Sequence, residues 1–161
     1  MTALMMAINH NDILAVQNLL QKGVDVNELD ANQDAPLVIA AYKGYTEIVE
    51  KLLEAGADIT AVDPGMQATA LHAAAYAGRT DAAKVLIAYK IDIDKQGPYN
   101  GYTALHDAIW QNNIETAQVI IEAGANPEIK SKDGQTALDL AKSKDSKKIV
   151  ALIEQKIRTG K

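Results

Sequence analysis

The sequence predicts an all-α solenoid, a row of short helix pairs stacked side by side. Three observations predict it. A three-residue signature recurs five times along the 161 residues: Thr2-Ala3-Leu4, Ala35-Pro36-Leu37, Thr69-Ala70-Leu71, Thr103-Ala104-Leu105 and Thr136-Ala137-Leu138. Its leucines are spaced by 33, 34, 34 and 33 residues, and a fixed period of this length marks a repeat architecture. Apolar residues make up 48% of the chain but aromatics only 4%, with no Phe, so the core is expected to consist of small and aliphatic side chains.

Each unit opens on a helix. Thr2, Thr69, Thr103 and Thr136 precede apolar runs, where a hydroxyl can accept from the first free amides. Pro36 falls at a first helical position, where its missing N–H removes no hydrogen bond. Asn11, Gly44, Gly78, Asn112 and Asp145 tolerate a left-handed backbone and are predicted to end this helix. A second helix follows: in residues 46–55, Ile48, Val49, Leu52 and Leu53 lie at helical spacing. Gly23, Gly56 and Gly124 close it, whereas the third unit has Lys90 there, which predicts either a strained turn or a differently unwound end. The alternating segments 24–27, 57–60 and 91–94 read as strand-like and lead into turns rich in Asp, Asn and Gly. One such unit cannot bury its apolar face by itself, but stacked neighbours can.

Composition narrows the function. The absence of Cys excludes a disulfide framework, a thiolate zinc site, an iron–sulfur cluster and a Cys nucleophile. The net charge of −5 disfavours a nucleic-acid partner. Residues 1–62 carry −6, 63–129 carry −4 and 130–161 carry +5, so the basic end reads either as a feature that orients a partner or as a solvated terminal cap. The longest apolar run, around residues 35–42, is well short of the ~20 residues that span a bilayer, and the N-terminus lacks the basic start of an export leader. No membrane association is expected, and the cytoplasm is the default compartment. No phosphate-binding loop, dinucleotide fingerprint, zincin or nucleophile-elbow motif is present.

The period, with the strings Thr69-Ala70-Leu71-His72-Ala73-Ala74 and Thr103-Ala104-Leu105-His106-Asp107-Ala108, resembles ankyrin repeats. The resemblance covers nearly the whole chain as one domain of five units: 1–29 (N-terminal cap), 30–62, 63–96, 97–130 and 131–161 (C-terminal cap). It implies an ankyrin-repeat solenoid of antiparallel helix pairs with projecting β-hairpin-like loops. The loops at 63–67 and 97–101 are each one residue longer than the family pattern, and Asp139 stands where His72 and His106 stand in their units. The resemblance gives those two histidines hydrogen bonds within and between units; the alternative is a metal pair across adjacent units. No cofactor and no metal are expected.

The residues with most functional promise are aromatic. Tyr42, Tyr76 and Trp110 occupy one register position in three successive units, spaced by 34 and 34 residues. With packed helices ~10 Å apart they should form a ladder roughly 20 Å long. The resemblance turns this position toward a concave groove. The rings then either anchor a partner or simply cement the stack. It also implies that loop tips touch the partner: Asn32 and Asp34, Met66, Tyr99, Asn100 and Tyr102, and Lys132, Asp133 and Gln135. Lys43, Gln111 and Lys144 follow the ladder positions and are expected within the groove, facing acidic partner groups. The expected function is noncatalytic binding of a protein or peptide by a monomeric chain. Its rivals are a structural or regulatory spacer in a larger assembly, and an enzyme or metal protein.

Overall fold

The computed structural model describes residues 1–160; Lys161, the last residue of the predicted C-terminal cap, lies outside the described residues. Among those residues, ten helices follow one another in five pairs: α1 (Ala3–Asn9) with α2 (Ile13–Gln21), α3 (Pro36–Lys43) with α4 (Thr46–Glu54), α5 (Ala70–Ala77) with α6 (Thr80–Ala88), α7 (Ala104–Trp110) with α8 (Ile114–Glu122), and α9 (Ala137–Ser143) with α10 (Lys147–Thr159). First helices pack on neighbouring first helices, and second helices on neighbouring second helices. Helix pairs therefore contact their neighbours along a line, as a solenoid requires. Among the described residues, no helix is long and apolar enough to cross a membrane.

The local chemistry explains the helix ends. The hydroxyls of Thr2, Thr69, Thr103 and Thr136 each accept an amide N–H three residues on. Ala35 has no side-chain cap, and there Pro36 opens the helix instead. Asn11, Gly44, Gly78, Asn112 and Asp145 all turn the chain between paired helices with positive φ. The repeat leucines Leu4, Leu37, Leu71 and Leu105 are buried. So are Ala70, Ala73, Ala74 and Ala75 of α5, whose small side chains fill the space between α3 and α7.

The end of α6 takes the strained alternative. Lys90 adopts φ 69°, where Gly23, Gly56 and Gly124 have 85°, 91° and 102°. A left-handed backbone costs an L residue roughly 1–2 kcal/mol, partly offset because Gly loses roughly 0.5–1 kcal/mol more entropy on folding. Lys90→Gly is expected to raise stability by about 0.5–1 kcal/mol, or roughly 1–4 °C in melting temperature. A thermal scan showing no gain would contradict the strain.

The alternating segments are turns, not strands, which corrects the strand-like expectation. Their i, i+2 polar pattern serves a local hydrogen bond: the carboxylate of Asp25, Asp58 or Asp92 accepts the N–H of Asn27, Thr60 or Asp94 at 2.9, 2.9 and 3.1 Å. Two of these turns also tie units together. Asn27 Oδ1 accepts the Asp58 N–H at 2.8 Å, and Asp94 Oδ1 accepts the Asn126 N–H at 2.9 Å. The Thr60 hydroxyl, and then its N–H, hold the exposed Asp58 carboxyl below its usual range.

The loops before α3, α5, α7 and α9 are narrow hairpin-shaped fingers. Among the described residues their β-pairing is a single isolated bridge, Val62 with Thr69. The outer backbone bond of each finger runs from Asp30 N–H to Asp34 C=O, Asp63 to Ala68, Gly97 to Tyr102, and Ser131 to Gln135, at 3.1, 3.0, 2.8 and 2.8 Å, and a second one returns to the same first residue from Gln33, Gln67, Gly101 and Gly134. The middle two close over one extra residue, the extra length predicted for those loops. Gly101 has φ 73°, and a Cβ there would lie 2.7 Å from the Lys132 amide nitrogen, so only glycine lets the third and fourth fingers approach.

Candidate functional site

A groove of about 870 Å³ runs across α3, α5 and α7 and the fingers beside them. Its apolar floor includes Val38, Ile39, Ala68 and Ala73. Tyr42, Tyr76 and Trp110 all line it, with 50%, 50% and 48% of their surfaces exposed. Rings that served only to cement the stack would be mostly covered. The fingers bring Asp34, Met66, Tyr99, Asn100, Tyr102, Lys132 and Asp133 to the same groove.

Five predicted residues lie outside the lining: Lys43, Gln111, Asn32, Lys144 and Gln135, whose carbonyl instead accepts from His106. Lys43 and Gln111 do not line the groove, contrary to expectation. One residue along a helix turns the side chain by about 100°, away from the face its neighbour occupies. Asn32 sits on an exposed finger with its N–H donated to Asp30 Oδ1 at 2.8 Å, outside the lining. Lys144 is also absent from the lining but caps the groove's edge, its Nζ 4.2 Å from the centre of the Trp110 ring. One face of that indole is thus occupied by the chain's own cation.

Tyr102 organises the end of the groove near Trp110. Its ring stacks on His106 at 5.0 Å and meets Trp110 edge-on at 6.5 Å. Burial, then the charges of Asp133 and Asp107, push its hydroxyl above the usual range. Its carbonyl accepts the Nε2–H of His72 at 2.9 Å, and the Gln135 carbonyl accepts that of His106 at 3.0 Å. On the other side of each ring, Nδ1 lies 2.8 Å from the Thr69 hydroxyl and 2.9 Å from the Thr103 hydroxyl. Nε2 of each ring therefore joins one unit to the next while Nδ1 caps the helix of its own unit, and neither nitrogen offers a free lone pair to a metal. Burial holds both histidines below their usual pKa.

The sequence reading misses the floor carboxylate, Asp107. It lies on α7 at the register position of Ile39 and Ala73, and like them it lines the groove. Burial alone raises its pKa to about 7, and no hydrogen bond or opposing charge offsets that burial. A superposition of the repeats would have exposed it, as the one charge in a register otherwise held by Ile39 and Ala73. Asp34 is likewise raised, by burial and then by the charges of Asp30 and Asp63. Asp63 differs: its two oxygens accept the amides of Gly65, Met66 and Ala68 at 2.9, 2.9 and 2.7 Å, and so it shapes its own finger.

A family model described as ankyrin repeats in three copies matches residues 1–63 and 61–131. The chain belongs to the ankyrin-repeat family. Ankyrin repeats generally mediate protein–protein interactions. This ankyrin-repeat chain is 43% identical over 58 residues to the palmitoyltransferase AKR1 of Candida albicans, covering 36% of the chain and 7% of that protein. It is 40% identical over 60 residues to the human ankyrin repeat domain-containing protein 49, covering 37% of the chain and 25% of that protein. It is 35% identical over 71 residues to a probable E3 ubiquitin-protein ligase, XBOS31, of rice, covering 44% of the chain and 16% of that protein. The matches thus span at most a quarter of these relatives, so the likeness extends to the repeats and carries no enzymatic activity with it.

Proposed function

We propose that the chain is a noncatalytic interaction module that holds an extended segment or one helix face of a partner protein in the groove, with Tyr42, Tyr76 and Trp110 as anchors. The observation that carries this reading is the exposure of three register-equivalent rings along one groove. Tyr and Trp bring large contact area at little conformational cost, which makes them the favoured anchors of interfaces. Met66, 54% exposed on its finger, adds an adaptable apolar contact, and Tyr99 a further ring from the next finger. A spacer role would leave these open rings without a purpose.

The test is the double variant Tyr76→Ala, Trp110→Ala. Proteins captured from a native extract by the wild type are to be purified and their affinities measured directly. An anchoring ring commonly contributes ~2 kcal/mol or more, about thirtyfold in affinity, so a loss of at least that size is expected for the pair. Because both rings are half-exposed, the melting temperature should fall only slightly. Unchanged affinity for every recovered partner would remove the groove as the binding site.

A further inference from the structure

We propose that the groove's occupant is a basic, extended segment of the partner, with one cationic side chain seated against Asp107 beside Tyr102 and Trp110 and a second reaching Asp34. This rests on the groove being the binding site and names the chemistry it selects. Four carboxylates, of Asp34, Asp63, Asp107 and Asp133, line the groove against one cation, Lys132. Two of the four have structural employment, Asp63 in its finger turn and Asp133 in a hydrogen bond from the Ser131 hydroxyl. Asp107 and Asp34 have none that offsets their burial, and both are held above the usual carboxylate range. At the register position of Asp107 the two preceding units carry Ile39 and Ala73, so the fold does not need a charge there. A carboxylate that makes the free protein less stable, on the floor of an apolar groove, is complemented by a cation that arrives with a ligand.

The aromatic surroundings fit the same occupant. Tyr102 and Trp110 present ring surface beside the Asp107 carboxylate, and a guanidinium stacks on such rings while bonding an acid. Trp110 already holds a cation in this way through Lys144. Asp34 and Asp107 belong to units two apart, roughly 20 Å along the stack at ~10 Å per unit. An extended chain rising ~3.3 Å per residue covers that in about six residues.

The experiment uses the whole chain and fluorescein-labelled nonapeptide pools read by anisotropy. One pool fixes two arginines about six residues apart, the others fix two glutamines or two glutamates there, and the remaining positions are mixed apolar residues. The arginine pool is expected to bind at least tenfold more tightly than either other pool. Asp107→Asn should weaken the arginine pool about tenfold and leave the glutamine pool unchanged. Binding of the arginine pool should also strengthen between pH 6 and 8, as Asp107 ionises. The groups around it are His106 and Tyr102 on its own unit, His72 and Tyr76 on α5, Tyr99 on the preceding finger, Lys132 and Asp133 on the following one, and Lys144 from α9 by way of Trp110; α8 sends no side chain to the groove. Burial shifts the titration of the two histidines downward, away from the upper part of that range, and Asp107→Asn removes the pH response only where Asp107 causes it.

Equal binding of the glutamine or glutamate pool overturns the basic occupant and leaves the groove reading standing. Arginine-pool binding that survives Tyr76→Ala, Trp110→Ala places the cation seat elsewhere and overturns both. Binding by no pool overturns the proposal as well.

Discussion

Replacing Asp107 by Ala is expected to raise the melting temperature by roughly 5–10 °C at pH 8, and by much less at pH 4. The carboxyl is raised by burial from 3.8 to about 7. Its unfolded form ionises first, so folding binds a proton across that interval. Stability from this group is complete below about 4 and is lost as pH rises toward 7. At ~1.4 kcal/mol per pKa unit the full interval corresponds to a few kcal/mol, and a domain of this size shifts by roughly 2–4 °C per kcal/mol. Alanine is what α5 carries at the same position, Ala73, so the substitution introduces a side chain the register already accommodates. The wild type should also lose stability on the acid side. Burial holds the pKa of His72 and His106 below the usual value, so their unfolded forms take up protons first as pH falls below about 6.5. Melting curves from pH 4 to 8 for the wild type and Asp107→Ala check both signs. A gain that stays constant with pH would show that the carboxylate's burial is not its cause.

Leu71→Ala is expected to destabilise the protein by about 3–4 kcal/mol, at the centre of the range for leucine truncation in a packed core. Leu71 is 1% exposed on α5, which packs on α3, α6 and α7, so the cavity has rigid walls on three sides. Leu4 occupies the same register position in α1, is 3% exposed, and α1 packs mainly on α2 and α3. Leu4→Ala should cost about half as much, because the end pair can relax or fray without disrupting the row. Chemical denaturation measures both losses. Hydrogen exchange should show Leu4→Ala loosening α1 and α2 selectively, while Leu71→Ala weakens protection across the middle units. Equal losses for the two variants would mean that the stack does not behave as a chain of nearest neighbours.

The helix ends were legible because the interactions that decide them are local. A hydroxyl three residues from an amide, as at Thr69 and Thr103, caps a helix whatever surrounds it. Asn112 and Asp145 could be assigned to left-handed turns for the same reason. The ladder of Tyr42, Tyr76 and Trp110 was legible as a consequence of the period, since equivalent positions on equivalent helices face the same way. The alternating segments deceived because a period of two serves both a strand and the Asp25-to-Asn27 type of turn. Lys43 and Gln111 were misplaced because proximity in sequence was taken for proximity on a face.

By itself, then, the order of residues determined the repeating helix pair, its caps and turns, and the fact of stacking. These follow from forces acting over a few residues and from the need of each amphipathic unit for a neighbour. Only the tertiary structure decided that Asp107 sits on an apolar floor with its charge uncompensated, that Lys144 covers one face of Trp110, and that Nε2 of each buried histidine joins its unit to the next. Those properties depend on what a neighbouring unit places a few ångströms away and on how much water it excludes, and neither quantity is contained in the spacing of residues along one unit.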